Sequence, residues 1–238
     1  MSARQRFGRP RHHLRLTDST NDRARELAAF GAPDGTMVTA NEQTAGRGRQ
    51  GRSWSAPPGK ALLCSAILRP LSRDQGLLPL AVPLAVCETA EALGAEGCQV
   101  KWPNDVWLGA RKLAGILIEA RPPEWAVIGI GLNVDIAEDE FPAELRASAT
   151  SLGGRASVED ALEALRGPLE RWVEADDDAV IAEFDSRDAL RGREIRWTGA
   201  GEGTGLVEGV DERGNLLVRV ADGKQVALGS GEVHLAPG

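Results

Sequence analysis

The sequence predicts an α+β protein: a mixed or antiparallel β-sheet packed with helices, followed by a small C-terminal β-barrel. Three observations carry this expectation. Four β-rich runs, 98–102, 105–108, 112–120 and 124–135, follow one another with only turn signals between them, which suits a mixed or antiparallel sheet and not a βαβ series. Apolar residues at Val158, Ala161, Leu162, Leu165, Leu169, Trp172 and Val173 recur at helical spacing. After Asp188 the chain breaks into short strand-like pieces separated by glycine or Asp-Glu-Arg-Gly-Asn turns, the spacing of a small barrel.

Each element has a local reason. Residues 1–10 carry arginines but no apolar pattern and read as a flexible basic tail. Residues 11–17 read as a first strand, and the Asp18-Ser19-Thr20-Asn21-Asp22 cluster behind it supplies N-cap candidates for a helix through 23–28. The runs 36–44 and 61–68 are strands, joined by a glycine and arginine segment and Pro57-Pro58-Gly59. From Gln75 to Gly94 the alanine-rich apolar pattern is helical, with Pro79 in the first turn and Pro83 a kink or a late start. Ser157 with Asp160 forms a capping box for the amphipathic helix, and a further helix covers 179–184. The expected division is a tail over 1–10, a large domain over 11–187 and the barrel over 188–238.

A chain of 238 residues can bury a substantial core. Its composition, 42% hydrophobic and 26% charged, is that of a folded protein. The net charge of −7 argues against broad nucleic-acid binding, which relies on a basic face. Cys64, Cys87 and Cys98 sit in apolar surroundings without CxxC pairing and read as buried reduced thiols. With no apolar signal segment and no long apolar run, the expectation is a cytoplasmic protein.

Against that acidic background "GRGRQGR" (46–52) places three arginines and three glycines in seven positions. It matches GxGxxG, yet Ser53-Trp54-Ser55-Ala56-Pro57-Pro58 cannot continue the helix a Rossmann turn requires, and 66–71 holds no acid for a ribose. The lysine strand, HRD and DFG of a protein kinase are missing as well. "KWPND" (101–105) sets Lys101, Asn104 and Asp105 around a Trp-Pro turn, with Lys112 seven residues on, and "GIGLNVD" (129–135) adds glycines for close approach and Asn133. Two lysines, an amide and a carboxylate beside an arginine loop suit a polyanion with a metal ion.

Taken together, "DSTND" (18–22), "EQTAGRGRQGRSW" (42–54), "KWPND", "KLAGIL" (112–117) and "GIGLNV" (129–134), in this order, resemble the biotin protein ligase family. The resemblance implies a class II synthetase-like catalytic fold and ATP-dependent attachment of biotin to a lysine of a biotin carboxyl carrier domain, through biotinoyl-5′-AMP. It implies a biotin site of Ser19, Thr20, Asn21, Gln43, Gly46, Arg47, Gly48, Arg49, Lys112, Gly115 and Gly129. The ATP site it implies comprises Arg52, Trp54, Lys101, Asn104, Asp105, Lys112 and Asn133, with Asp105 a Mg²⁺ ligand and Lys112, Arg49 and Lys101 the catalytic cations. Fixed cations and Mg²⁺ would offset the repulsion between a carboxylate and a phosphate, and a closing loop would keep water from the mixed anhydride. Only about ten residues precede the first strand, so the expected form lacks the DNA-binding domain of bifunctional members; a homodimer is compatible with the sequence. The alternatives are a lipoate or octanoate ligase of the same superfamily and a non-catalytic biotin sensor.

Overall fold

The computed structural model describes residues 6–71, 76–199 and 201–236. Seven strands, β1 (Arg11–Leu14), β2 (Met37–Ala40), β3 (Ala61–Leu68), β4 (Cys98–Lys101), β5 (Asp105–Leu108), β6 (Arg111–Arg121) and β7 (Trp125–Asn133), form one sheet in the order β1-β2-β3-β7-β6-β5-β4. Among these seven strands β1 and β2 pair in parallel and the other neighbours antiparallel. The expected mixed sheet is present. Its order follows from tight hairpins joining β4 to β7, while α1 and α2 carry the chain over longer distances.

The two sheet faces differ in what they bury. Leu62, Cys64, Ala66, Ile116, Ile128, Ile130 and Leu132 belong to the main core, to which α2 (Leu78–Ala92) and α3 (Val158–Val173) also contribute. Helix α2 is buried on nearly all sides because it is packed against both the sheet and α3. The expected capping box opens α3: the Asp160 amide donates to Ser157 Oγ at 3.1 Å and the Ser157 amide to Asp160 Oδ2 at 3.0 Å, worth about 1 kcal/mol. On the opposite face α1 (Thr20–Ala29) packs Ala24 and Ala28 on Val38, Ile67 and Val127, and Phe141 and Ile136 pack on Ala61 and Leu63. Between these two clusters the facing residues are Ser65, Gly115, Gly129 and Gly131, paired in register across β3, β7 and β6. Small residues there leave a hollow.

Helix α4 (Asp177–Arg187) leads into a second sheet of β8 (Glu194–Thr198), β9 (Gly203–Val210), β10 (Leu216–Arg219), β11 (Gln225–Leu228) and β12 (Glu232–Leu235), all antiparallel. Its order, β11-β10-β9-β8-β12, leaves β11 and β12 unpaired with each other, so the expected small barrel takes an open form. The three-residue link Gly229–Gly231 joins the two edge strands and is too short to cross four strand spacings of a flat sheet, so the sheet curls to bring its edges near each other. Trp197, Val207, Leu216 and Val218 join the main core, and Trp102 Nε1 donates to the Gly214 carbonyl at 3.0 Å, so the two sheets share one apolar interior.

The expected tail also needs correction from residue 6 onward; residues 1–5 lie outside the described residues. Phe7 is fully buried in the main core. Arg166 donates to the carbonyls of Phe7 (2.9 Å) and Gly8 (3.0 Å), and Arg6 pairs with Asp34 and Glu174. A single aromatic among arginines has no periodicity, and its burial comes from a long-range partner that sequence pattern does not show.

Candidate functional site

The hollow is the floor of an open-mouthed cleft with a cavity volume of about 130 Å³. One end is a polar nest. The Thr20 amide and hydroxyl donate to Gln43 Oε1 at 2.7 and 3.0 Å. Ser65 Oγ, fully buried, lies 2.8 Å from Thr20 Oγ1 and 2.6 Å from Asn21 Oδ1, so one hydroxyl ties both side chains to the sheet. Asn21 Nδ2 donates to the Leu117 carbonyl at 3.3 Å and to Glu119 Oε2 at 3.1 Å. Backbone bonds from Thr44 to Thr17 and from Ala45 to Asp18, 2.9 Å each, hold the 18–22 turn beside 42–45.

The other end is cationic. Asp105 pairs with Lys101 in the β4–β5 register and with Gly115 in the β5–β6 register; a bulge at Val106/Trp107 places Lys112 opposite Trp107. Lys112 Nζ lies 2.6 Å from Asp105 Oδ1, at an angle that leaves this oxygen without a well-formed hydrogen bond. It also lies 5.6 Å from the centroid of the Trp54 ring, while Lys101 Nζ sits 5.4 Å from that of Trp107. Burial pulls the Lys101 ammonium below its ordinary pKa, opposed by the Asp105 carboxylate.

The glycines of "KLAGIL" and "GIGLNV" make room for side chains. A Cβ on Gly131 would stand 2.5 Å from Trp54 Cε2, one on Gly115 2.9 Å from Trp54 Cζ3, and one on Gly129 2.0 Å from Asn21 Oδ1. Trp54 therefore lies flat on the β6–β7 backbone, its Nε1 buried without a partner. A buried donor of this kind is available to a ligand.

The 46–52 segment folds as a small hairpin across the cleft. The Trp54 amide donates to the Gly46 carbonyl at 2.8 Å and the Gly48 amide to the Arg52 carbonyl at 2.7 Å. Its three arginines reach three different walls. Arg47 Nη1 donates to Asp22 Oδ1 (2.9 Å) and Glu119 Oε1 (3.0 Å). Arg49 Nη1 donates to Asn104 Oδ1 at 3.2 Å, and its burial lowers its pKa from the usual value, opposed by Asp105. Arg52 pairs with Glu232 of β12.

Ser19, Thr20, Asn21, Gln43, Arg47, Gly48, Arg49, Arg52, Trp54, Lys101, Asn104, Asp105, Lys112, Gly115 and Gly129 all line this one cleft. Two expected residues do not. Gly46 is buried beneath the hairpin, where a Cβ would meet the Trp54 carbonyl at 2.4 Å. Asn133 is turned away, its Nδ2 donating to the Thr150 carbonyl at 2.9 Å and so holding the 148–150 segment that hydrogen-bonds Lys112. Ser65, Asp22, Glu119, Gly231 and the β12 residues Glu232, Val233 and His234 were not foreseen. Ser65 reads only as one more strand residue, and "GEVH" carries no signal until β12 is seen folded back over the cleft. Among the described residues no cluster of three or more His, Cys, Asp or Glu could hold a metal ion, and no helix is long and apolar enough to cross a membrane.

Comparison with known proteins bears on the family and the fold. Residues 13–135 match the biotin/lipoate A/B protein ligase family and residues 192–235 the biotin protein ligase C-terminal domain. A bifunctional ligase/repressor from Bacillus spizizenii is 43% identical over 58% of this chain, but the chain spans only 44% of that protein's length. A biotin–[acetyl-CoA-carboxylase] ligase from Mycobacterium tuberculosis is 34% identical over 92% of this chain and 86% of its own. The biotin protein ligase from Aquifex aeolicus, solved in complex with biotin and ATP, superposes with a TM-score of 0.80 at 28% identity, covering 95% of this chain and 99% of that one.

Proposed function

Because the chain belongs to the biotin/lipoate A/B protein ligase family, we propose that it activates biotin with ATP to biotinoyl-5′-AMP and transfers the biotinoyl group to a lysine of a biotin carboxyl carrier domain. The observation that carries this reading is the joining, in one cleft, of a neutral polar nest around Ser19, Thr20, Asn21 and Gln43 to a cationic end of Arg49, Arg52, Lys101 and Lys112.

The nest has the donors and acceptors that a ureido head needs. Its far end brings cations to where the biotin carboxylate meets the α-phosphate. A carboxylate oxygen attacks the α-phosphorus and pyrophosphate leaves; Lys112, poised between Asp105 and the Trp54 face, would stabilise the charge that develops. No nucleophilic side chain is needed. Asp105 would hold the magnesium ion that accompanies ATP, since one carboxylate beside phosphate oxygens is the usual protein share for this ion, and the ion would supply further charge neutralisation. In the second step a lysine amine attacks the acyl carbon, AMP leaves and the amine gives up its proton. The arginine hairpin over the cleft would shield the anhydride from water.

Release of pyrophosphate that requires both biotin and ATP, followed by transfer of labelled biotin to a carrier domain, tests this function. The family also contains lipoate enzymes. Calorimetric titration with biotin and with lipoate separates the two readings, and activation of lipoate alone would overturn the one proposed.

A further inference from the structure

Arg52 and Glu232 form an ion pair between the hairpin and the edge strand of the C-terminal sheet. The pair spans two parts of the chain 180 residues apart, and it has an unexpected polarity. Glu232 is a carboxylate on the wall of a cleft also lined by Arg49, Arg52, Lys101 and Lys112. Standing alone there it would repel a polyphosphate. It is not alone, because its charge is engaged by Arg52, and the Glu232 side chain is mostly buried while that of Arg52 remains largely exposed. The carboxylate is the anchored partner. Strand β12 pairs with β8, with Glu232 opposite Thr198, so the anchor is built on regular backbone and not on a loop.

The two other arginines of the hairpin have partners within the large domain, Arg47 on α1 and β6 and Arg49 on the β4–β5 turn. Arg52 alone reaches the second sheet. We propose that Glu232 is a positioning residue of the reaction: it fixes the Arg52 guanidinium at the nucleotide end of the cleft, so that the small sheet and the hairpin together form the wall that retains ATP and the adenylate. This rests on the ligase reading. It assigns the C-terminal sheet a defined contribution through one carboxylate.

The test compares wild type, Glu232→Gln, Glu232→Asp, Arg52→Gln and the Gln/Gln double variant of the full chain. The readouts are KM for ATP, KM for biotin, melting temperature and the rate at which preformed adenylate is lost. A pair this exposed adds little to stability, so melting temperatures should stay together. Glu232→Gln should raise the KM for ATP and speed adenylate loss by about tenfold, the scale of one charged contact, with the KM for biotin held within about twofold. Glu232→Asp, which keeps the charge, should recover part of the loss, and the double variant should be no worse than Arg52→Gln. Wild-type KM and retention in Glu232→Gln, or multiplying defects in the double variant, would overturn the proposal. Absence of biotin-dependent pyrophosphate release from wild type would sink the ligase reading itself, which keeps the two failures apart.

Discussion

Lys112 Nζ and Asp105 Oδ1 stand 2.6 Å apart on neighbouring strands, in an ion pair whose angle falls short of a proper hydrogen bond. Such a pair can exchange partners: an incoming carboxylate or phosphate can take the ammonium while Asp105 takes a cation. Lys112→Ala should therefore lower pyrophosphate release by about a hundredfold or more, given roughly 1.5–3 kcal/mol for a charged hydrogen bond and a further loss of transition-state stabilisation. The fold should survive, because the side chain is not part of the apolar core. Stopped-flow or malachite-green assay of pyrophosphate, with melting temperature as control, checks this. Release at the wild-type rate would remove Lys112 from the chemistry.

Gly129 and Asn21 yield a second prediction. A methyl group at 129 would stand 2.0 Å from Asn21 Oδ1, so Gly129→Ala must push Asn21 away from Ser65 and Glu119. Overpacking of this kind costs about 1–3 kcal/mol, and biotin affinity should fall by about one to two factors of ten. Gly131→Ala, which meets Trp54 instead, should weaken ATP binding more than biotin binding. Calorimetry with each ligand distinguishes the two, and unchanged biotin affinity in Gly129→Ala would mean that Asn21 is not a biotin contact.

These glycines also show where the sequence could and could not be read. Strands 61–68 and 105–108 and the Ser157 capping box were legible because short β-rich runs bounded by turn signals, and capping, are local. The cleft residues were legible because five short motifs lie near one another in the fold. What Gly129 and Gly131 make room for was not legible, since Asn21 and Trp54 reach them only through tertiary packing. Glu232 was hidden for the same reason. So was the open edge between β11 and β12, since strand-like segments look the same in an open sheet and in a barrel.

Phe7 supplies a prediction about stability. It is fully buried, and its carbonyl is held by Arg166 of α3, 159 residues away in sequence, so Phe7→Ala should cost about 3–5 kcal/mol, the range for truncating a buried aromatic. Urea unfolding should show a lower midpoint with little change in slope. A midpoint equal to wild type would mean that residues 6–10 form a tail after all.

Asp188 predicts a pH dependence. Burial raises its pKa to about 6, with Asp185 adding to the shift and the Leu190 amide and Arg191 opposing it. A carboxyl group with a folded pKa above its unfolded value stabilises the protein at pH below about 4 and loses that contribution as pH rises through about 6. Asp188→Asn, which can still accept from the Leu190 amide, should match wild type near pH 4 and exceed it by roughly 1–3 kcal/mol at pH 8. Denaturant unfolding at both values checks this; an equal difference at the two would rule out titration of Asp188.

Arg49 bears on what the hairpin does once the intermediate exists. Its guanidinium is half-buried, bonded to Asn104 at 3.2 Å and facing Asp105, so it ties the middle of the hairpin to the turn that carries the cationic end of the cleft. Arg49→Gly would remove that tie, leave Asn104 Oδ1 without its donor and add a fourth glycine to a segment that already has Gly46, Gly48 and Gly51. Holding such a segment closed costs roughly 1–2 kcal/mol of backbone entropy per residue, and one fewer charged contact offsets that cost. Loss of adenylate should then accelerate by roughly one to two factors of ten, taking a charged hydrogen bond as about 1.5–3 kcal/mol. A mixed anhydride released into solution acylates any accessible amine, so the variant should biotinylate bystander proteins more than wild type does. Amide exchange across 46–52, measured with and without biotin and ATP, should show protection on binding in wild type and less in the variant. Equal retention of the adenylate by both, with no change in exchange on binding, would reduce the hairpin to a solvated linker.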